Sequence, residues 1–131
     1  PASRCTMMNF LMVALGGALG SVLRYSAGFA VSHIWPQHLY IATVLVNILG
    51  CFLIGCAFSW FLLRPDVSGM TTLLLMTGFL GGFTTFSTFS LDALRLLNDG
   101  QPVQALLYMG VTLVGGLLAT WLGMALIKFS L

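Results

Sequence analysis

The sequence predicts an all-α integral membrane protein with four transmembrane helices per chain, and three observations carry that prediction. Of the 131 residues, 59% are hydrophobic and only 6% are charged, against roughly 25% charged in an ordinary soluble domain. The few charges punctuate the chain: Arg4, Arg24, Arg64, Arg95, Lys128, Asp66, Asp92 and Asp99, with no glutamate. The segments between them are apolar. Met7 to Val31 contains only Arg24, while Leu39 to Leu63, Val67 to Leu91 and Val103 to Ile127 contain no charge. Each is about 25 residues, or roughly 37 Å of helix, which spans a hydrocarbon core of about 30 Å with some tilt. No segment alternates as a barrel strand does, and in lipid only helices and closed barrels satisfy every backbone group. The chain therefore reads as one membrane domain, 1–131, with spans at about 7–31, 39–63, 67–97 and 103–128.

The first span runs too long for the apolar region of a cleaved leader and lacks a small-residue cleavage site. Three short connections separate the spans. Ser32 to His38 holds Trp35 and Pro36, Arg64 to Asp66 brackets Pro65, and Asn98 to Pro102 reads Asn-Asp-Gly-Gln-Pro, a strong turn signal. Short connections make neighbouring helices antiparallel and leave no room for a soluble domain. Trp35, Tyr40 and Trp60 fall where interfacial aromatic belts sit. His33 and His38 read as solvated loop residues. Cys5, Cys51 and Cys56 show no metal-ligand spacing and read as small packing residues.

Loop charge gives no firm orientation. Arg4, Arg64 and Lys128 share one side against Arg95 and Arg24 on the other, three against two. So balanced a chain can insert both ways round and form a dimer of opposed copies. Balance also arises by chance, and the count alone decides neither way. Four helices are few for a complete pore, which favours a homo-oligomer. Gly16, Gly20 and Gly28 on the first span, and Gly115, Ala119 and Gly123 on the last, form small-residue rows that let backbones approach closely.

Polar residues inside a span are costly and fall here on defined faces. Thr43, Asn47, Cys51, Gly55 and Ser59 step by four along the second span, and Gln104, Tyr108, Thr112, Gly116 and Thr120 do so along the fourth. Interhelical hydrogen bonding accounts for such faces without further function, but Asn47 near mid-span needs several partners for its amide. The third span reads Gly78-Phe79-Leu80-Gly81-Gly82-Phe83-Thr84-Thr85-Phe86-Ser87-Thr88-Phe89-Ser90. Two glycines before Thr-Thr weaken a helix, so this span is expected to break near its middle. Broken backbone at that depth is tolerated only when buried in protein or lining a cavity. Phe83, Phe86 and Phe89 recur every three residues, a stripe that ordinarily packs a core.

No carboxylate stands in mid-span, with Asp92 and Asp99 at the end of the third. A proton-coupled cation exporter needs an acid at depth. Arg24 instead suggests an anion as the permeant species, or simply snorkels to the interface.

The run Gly81-Gly82-Phe83-Thr84-Thr85-Phe86-Ser87-Thr88-Phe89 resembles the signature of the Fluc (CrcB) family of fluoride channels. Gly16-Gly17-Ala18-Leu19-Gly20-Ser21-Val22-Leu23-Arg24-Tyr25 and Thr43-Val44-Leu45-Val46-Asn47-Ile48-Leu49-Gly50 resemble its first- and second-helix motifs. The resemblance covers the whole chain, in order. It implies an antiparallel, dual-topology homodimer in the cell inner membrane that exports cytoplasmic fluoride passively, with no enzymatic activity and no nucleic-acid partner. It also implies a pore lined by the ring edges of Phe86 and Phe89, with Asn47 donating its amide. Tyr108 and Thr112 would form a polar track, joined by Thr43 and Ser87 or Thr88, with Arg24 at a vestibule. A structural sodium ion would lie at the dimer interface, bound by backbone carbonyls with Gly81 and Thr84 as the best matches. Gly116 departs from the pattern, since a hydroxyl is expected there. The principal alternative is a small proton-coupled multidrug cation exporter, opposed by the missing acid at depth. A purely structural subunit explains the glycine rows but not the hydroxyl faces, and a membrane enzyme would need a base or metal cluster that is not visible.

Overall fold

The computed structural model describes residues 1–130 and is all-helical among them. Helices α1 (Ala2–Ile34), α2 (Tyr40–Leu62) and α6 (Pro102–Ser130) are each continuous. Between α2 and α6 lies a composite span, Gly69–Asn98. It consists of α3 (Gly69–Thr72), a π-helical stretch (Leu73–Leu80), α4 (Gly81–Phe83) and α5 (Phe86–Asn98). The chain thus has four helical spans long and apolar enough to cross a membrane.

Local chemistry explains where the composite span starts, stops and turns. Ser68 caps α3, its hydroxyl accepting from the Thr71 N–H at 3.3 Å. The helix stops after Phe83 because Thr84 and Thr85 take extended backbone (ψ 159° and 122°). It restarts at Phe86 because the Thr85 hydroxyl accepts from the Thr88 N–H at 3.2 Å, a side-chain N-cap. At the far end Gly100 adopts φ 73°. The Gly100 N–H bonds the Leu97 carbonyl (3.1 Å) and the Gln101 N–H bonds that of Leu96 (2.9 Å). This is a Schellman stop, and it turns the chain into α6.

The interruption lets one span serve two sets of neighbours. Its π-helical and α4 portions pack chiefly against α1 and α5 packs chiefly against α6, while α2 touches all three portions. The α2–α6 pair is held by backbone proximity. Any Cβ at Gly55 would overlap the Thr120 carbonyl, and any at Gly123 the Phe52 carbonyl, so small residues here set the helix separation. The side-chain core lies where α5 meets α6: Phe89, Ala93, Leu96, Ala105 and Tyr108, with Tyr40, Val44 and Met109 packed on it.

Candidate functional site: a phenyl-walled cavity beside Thr84 and Thr85

Asn47, on the buried face of α2, points at the interruption. Its Oδ1 accepts from the Thr85 N–H at 2.8 Å and its Nδ2 donates to the Thr85 carbonyl at 3.0 Å. One side-chain amide therefore satisfies both backbone groups of a non-helical residue in the manner of a strand pair. The remaining Nδ2 proton has no partner among the described residues. Diverting the Thr85 N–H to Asn47 also frees the Gly81 carbonyl, its partner in an uninterrupted α-helix. The carbonyls of Gly81, Phe83 and Thr84 accept no hydrogen bond among the described residues, while that of Leu80 takes the Thr84 N–H and hydroxyl. The Gly82 carbonyl is taken by the first span, where Arg24 Nε donates to it at 3.0 Å. Arg24 is thus a strut of the interruption as well as a charge.

Beside this interruption a cavity of about 360 Å³ opens between α2, α4, α5 and α6. Of the residues singled out in the sequence, Asn47, Gly81, Thr84, Phe86, Phe89 and Thr112 line it. The Phe86 and Phe89 rings stand 5.6 Å apart at 44°, the first 75% exposed in the single chain and the second 7%. Thr112 is buried, and its Oγ1 is the single buried side-chain polar atom without a hydrogen-bond partner among the described residues. A hydroxyl on a cavity wall with no acceptor is open to one that arrives from outside the fold.

Thr43 and Tyr108 do not line this cavity; they meet elsewhere. Both donate to Asp92 Oδ2, Thr43 Oγ1 at 2.8 Å and the Tyr108 hydroxyl at 3.1 Å. Tyr108 stacks on Phe89 with centroids 5.3 Å apart at 25°, so the two groups adjoin. A second cavity of about 590 Å³ is lined by Arg24, Thr43, Thr85, Thr88 and Asp92. Ser87 is exposed, and its hydroxyl lies 3.4 Å from that of Thr85.

Asp92 is the hydrogen-bond acceptor near the site that sequence reasoning passed over. It reads as a helix-end charge, but α5 continues to Asn98. Its place three residues after Phe89, one turn along the same face, was the available signal. Thr43 is 6% exposed and Tyr108 3%, so Asp92→Ala strands two buried hydroxyls at about 1–3 kcal/mol each. We expect Asp92→Ala to melt well below the wild type in detergent. Asp92→Asn, which keeps an acceptor oxygen, should melt close to it. Equal melting of Asp92→Ala and wild type would remove Asp92 from the scaffold.

Four helices long and apolar enough to cross a membrane define a multi-pass membrane protein. The chain belongs to the CrcB family: residues 11–124 match the model described as "CrcB-like protein, Camphor Resistance (CrcB)". It is 52% identical over 120 residues to a Pseudomonas fluorescens SBW25 protein named fluoride-specific ion channel FluC, covering 92% of this chain and 97% of that one. Its identity to the Azotobacter vinelandii protein of the same name is 54%, over 90% and 95% of the two chains. With that of Pseudomonas putida F1 it is 46%, over 89% and 94%.

Proposed function

We propose that the chain is a fluoride-selective channel, not an enzyme, that passes fluoride out of the cytoplasm across the inner membrane. The observation that carries this reading is the unpartnered Thr112 hydroxyl on a cavity walled by Phe86 and Phe89. A phenyl ring is electropositive at its edge and hydroxyl and amide protons are neutral donors, so such a wall favours a small anion without the grip of a full charge, as conduction requires. The relatives, at about half identity over nearly their whole length, carry a fluoride channel's name and give the cation exporter no support. Fluoride that enters as its uncharged acid dissociates in a more alkaline cytoplasm. An inside-negative potential then drives the anion out with about 2.3 kcal/mol per 100 mV.

The working unit in this reading is an antiparallel homodimer of dual topology, each copy spanning the bilayer in the opposite sense. Support comes from the balance of loop charge and from the face that α1 leaves uncovered, where Leu15, Leu19, Val22 and Tyr25 are exposed. Phe86, largely exposed in one chain, would be covered by the second. The interruption serves there as the functional break of the third span. The unbonded carbonyls of Gly81 and Thr84 suit a hard cation, and paired across the dimer axis they would hold a structural sodium ion. Such an ion would compensate carbonyls that lipid cannot satisfy.

The test is ion efflux from liposomes holding the purified protein, read with a fluoride electrode after a potassium ionophore is added. Fast fluoride release with chloride retained establishes the channel; no release from folded protein overturns it. Phe86→Ile should slow fluoride by about tenfold, the worth of one favourable ring contact. Because Phe86 is 75% exposed in the single chain, the variant should still fold. Unchanged efflux would remove this ring from the path.

A further inference from the structure

The fourth helix presents no side chain at Gly116, yet the cavity wall there is not bare. Cys51, one turn beyond Asn47 on α2, faces it: a Cβ at Gly116 would lie 3.3 Å from Cys51 Sγ. The thiol is free and half-buried, and Cys51 lines the same cavity as Thr112, Gly116 and Thr120. The Thr112 hydroxyl, nine-tenths buried and without a partner, independently marks this wall as one that awaits an acceptor. Cys56, by contrast, lies on a separate shallow groove with Trp60 and Phe61, and Cys5 is exposed near the start of α1.

We propose that the Cys51 thiol forms part of the anion path, supplying from α2 the donor that Gly116 does not supply from α6, and so makes conduction sensitive to small thiol-directed electrophiles. The inference rests on the channel reading. A thiol is a weak S–H donor, weaker than the hydroxyl expected at position 116, and is reactive where a hydroxyl is not. Methyl methanethiosulfonate is small and uncharged. The Cys51 sulfur attacks its sulfenyl sulfur, a new S–S bond forms, and the bond to the sulfonyl group breaks. Methanesulfinate leaves with the electron pair and the thiol proton passes to solvent, so a methylthio group remains on Cys51 in the cavity.

The experiment uses the Cys5→Ser/Cys56→Ser protein in liposomes, with efflux measured before and after methyl methanethiosulfonate and the mass of the recovered chain as the readout of modification. We expect one added methylthio group, fluoride efflux reduced to the protein-free background, and recovery on reduction. Cys51→Ala in the same background should be insensitive to the reagent and about threefold slower than its parent, the loss of one weak donor. Adding Gly116→Ser to Cys51→Ala returns a donor to the wall in the space the sulfur vacates, and should restore efflux while leaving it insensitive. Absence of efflux from the unmodified protein overturns the channel reading and this inference with it. In a conducting preparation, undiminished efflux after full modification, or failure of Cys51 to react, overturns the inference alone.

Discussion

Replacing Asn47 with leucine should abolish fluoride efflux and lower the melting temperature more than any other single side-chain exchange near the cavity. Leucine matches the volume of the amide but offers neither Oδ1 to the Thr85 N–H nor Nδ2 to the Thr85 carbonyl. Both groups lie where the helix has stopped supplying partners, and Asn47 itself is 9% exposed. Each stranded group costs about 1–3 kcal/mol, and lipid cannot satisfy what water would. Asn47→Asp separates the two bonds. One carboxylate oxygen can still accept from the Thr85 N–H, but the other then faces the Thr85 carbonyl, acceptor against acceptor. The same exchange sets a negative charge on the wall of the cavity, where two like charges about 4 Å apart repel by roughly 4 kcal/mol at an effective dielectric constant of 20. Efflux from the Asn47→Asp protein should therefore fall to background even in preparations that remain folded. Asn47→Gln keeps a donor and an acceptor and carries them one methylene further, so it should regain part of the melting temperature that Asn47→Leu loses. Melting curves in detergent and liposome efflux on the three variants check this order. If all three melt and conduct like wild type, the clasp on Thr85 supports nothing.

The two bonds made by Asn47 also mark where sequence reasoning stops. The spans were legible because hydrophobicity and charge spacing are properties of a segment taken alone. At Thr84 and Thr85, just after Gly81-Gly82, the backbone is extended, and local backbone preference acts where those residues stand. What Asn47 does with its amide was not legible, because its partner is a backbone group 38 positions away. The stretch from Thr43 to Ser59 reads as one hydroxyl face, yet it divides by height: Thr43 reaches Asp92, Asn47 reaches Thr85, and Cys51 faces Gly116. Tyr108 and Thr112 divide in the same way, one bound to Asp92 and the other unpartnered. Arg24 carried two readings in the sequence, attraction of an anion or snorkelling. The structure adds a third, because Nε is committed to the Gly82 carbonyl.

Gly20→Ala should fail to give stable folded protein, although it adds a single methyl group. On α1 a Cβ at Gly20 would overlap the Phe79 carbonyl and lie 2.8 Å from the Phe83 nitrogen. Both obstacles are backbone, so no rotamer change relieves them and α1 must retreat from the third span. Overpacking in a close-packed interior costs about 1–3 kcal/mol, and more where the backbone must move. Retreat also draws Arg24, four residues on, away from the Gly82 carbonyl that it holds at 3.0 Å, so the loss spreads to the interruption. In lipid no hydrophobic force pulls the helices back, because association there depends on the close approach that small residues permit. The counterpart is Gly110→Ala on α6, where an added Cβ meets nothing within 4 Å. There the methyl group should raise stability by about 0.5–1 kcal/mol through helix propensity. Gly28 belongs to the same sequence row as Gly16 and Gly20, yet in the single chain nothing lies within 4 Å of a Cβ there. The row therefore describes a stripe on α1, while the third span's path decides which of its glycines are required. Size-exclusion profiles and melting curves of Gly20→Ala and Gly110→Ala separate the cases. A monodisperse Gly20→Ala protein melting with wild type would mean that α1 is not seated on the third span as described.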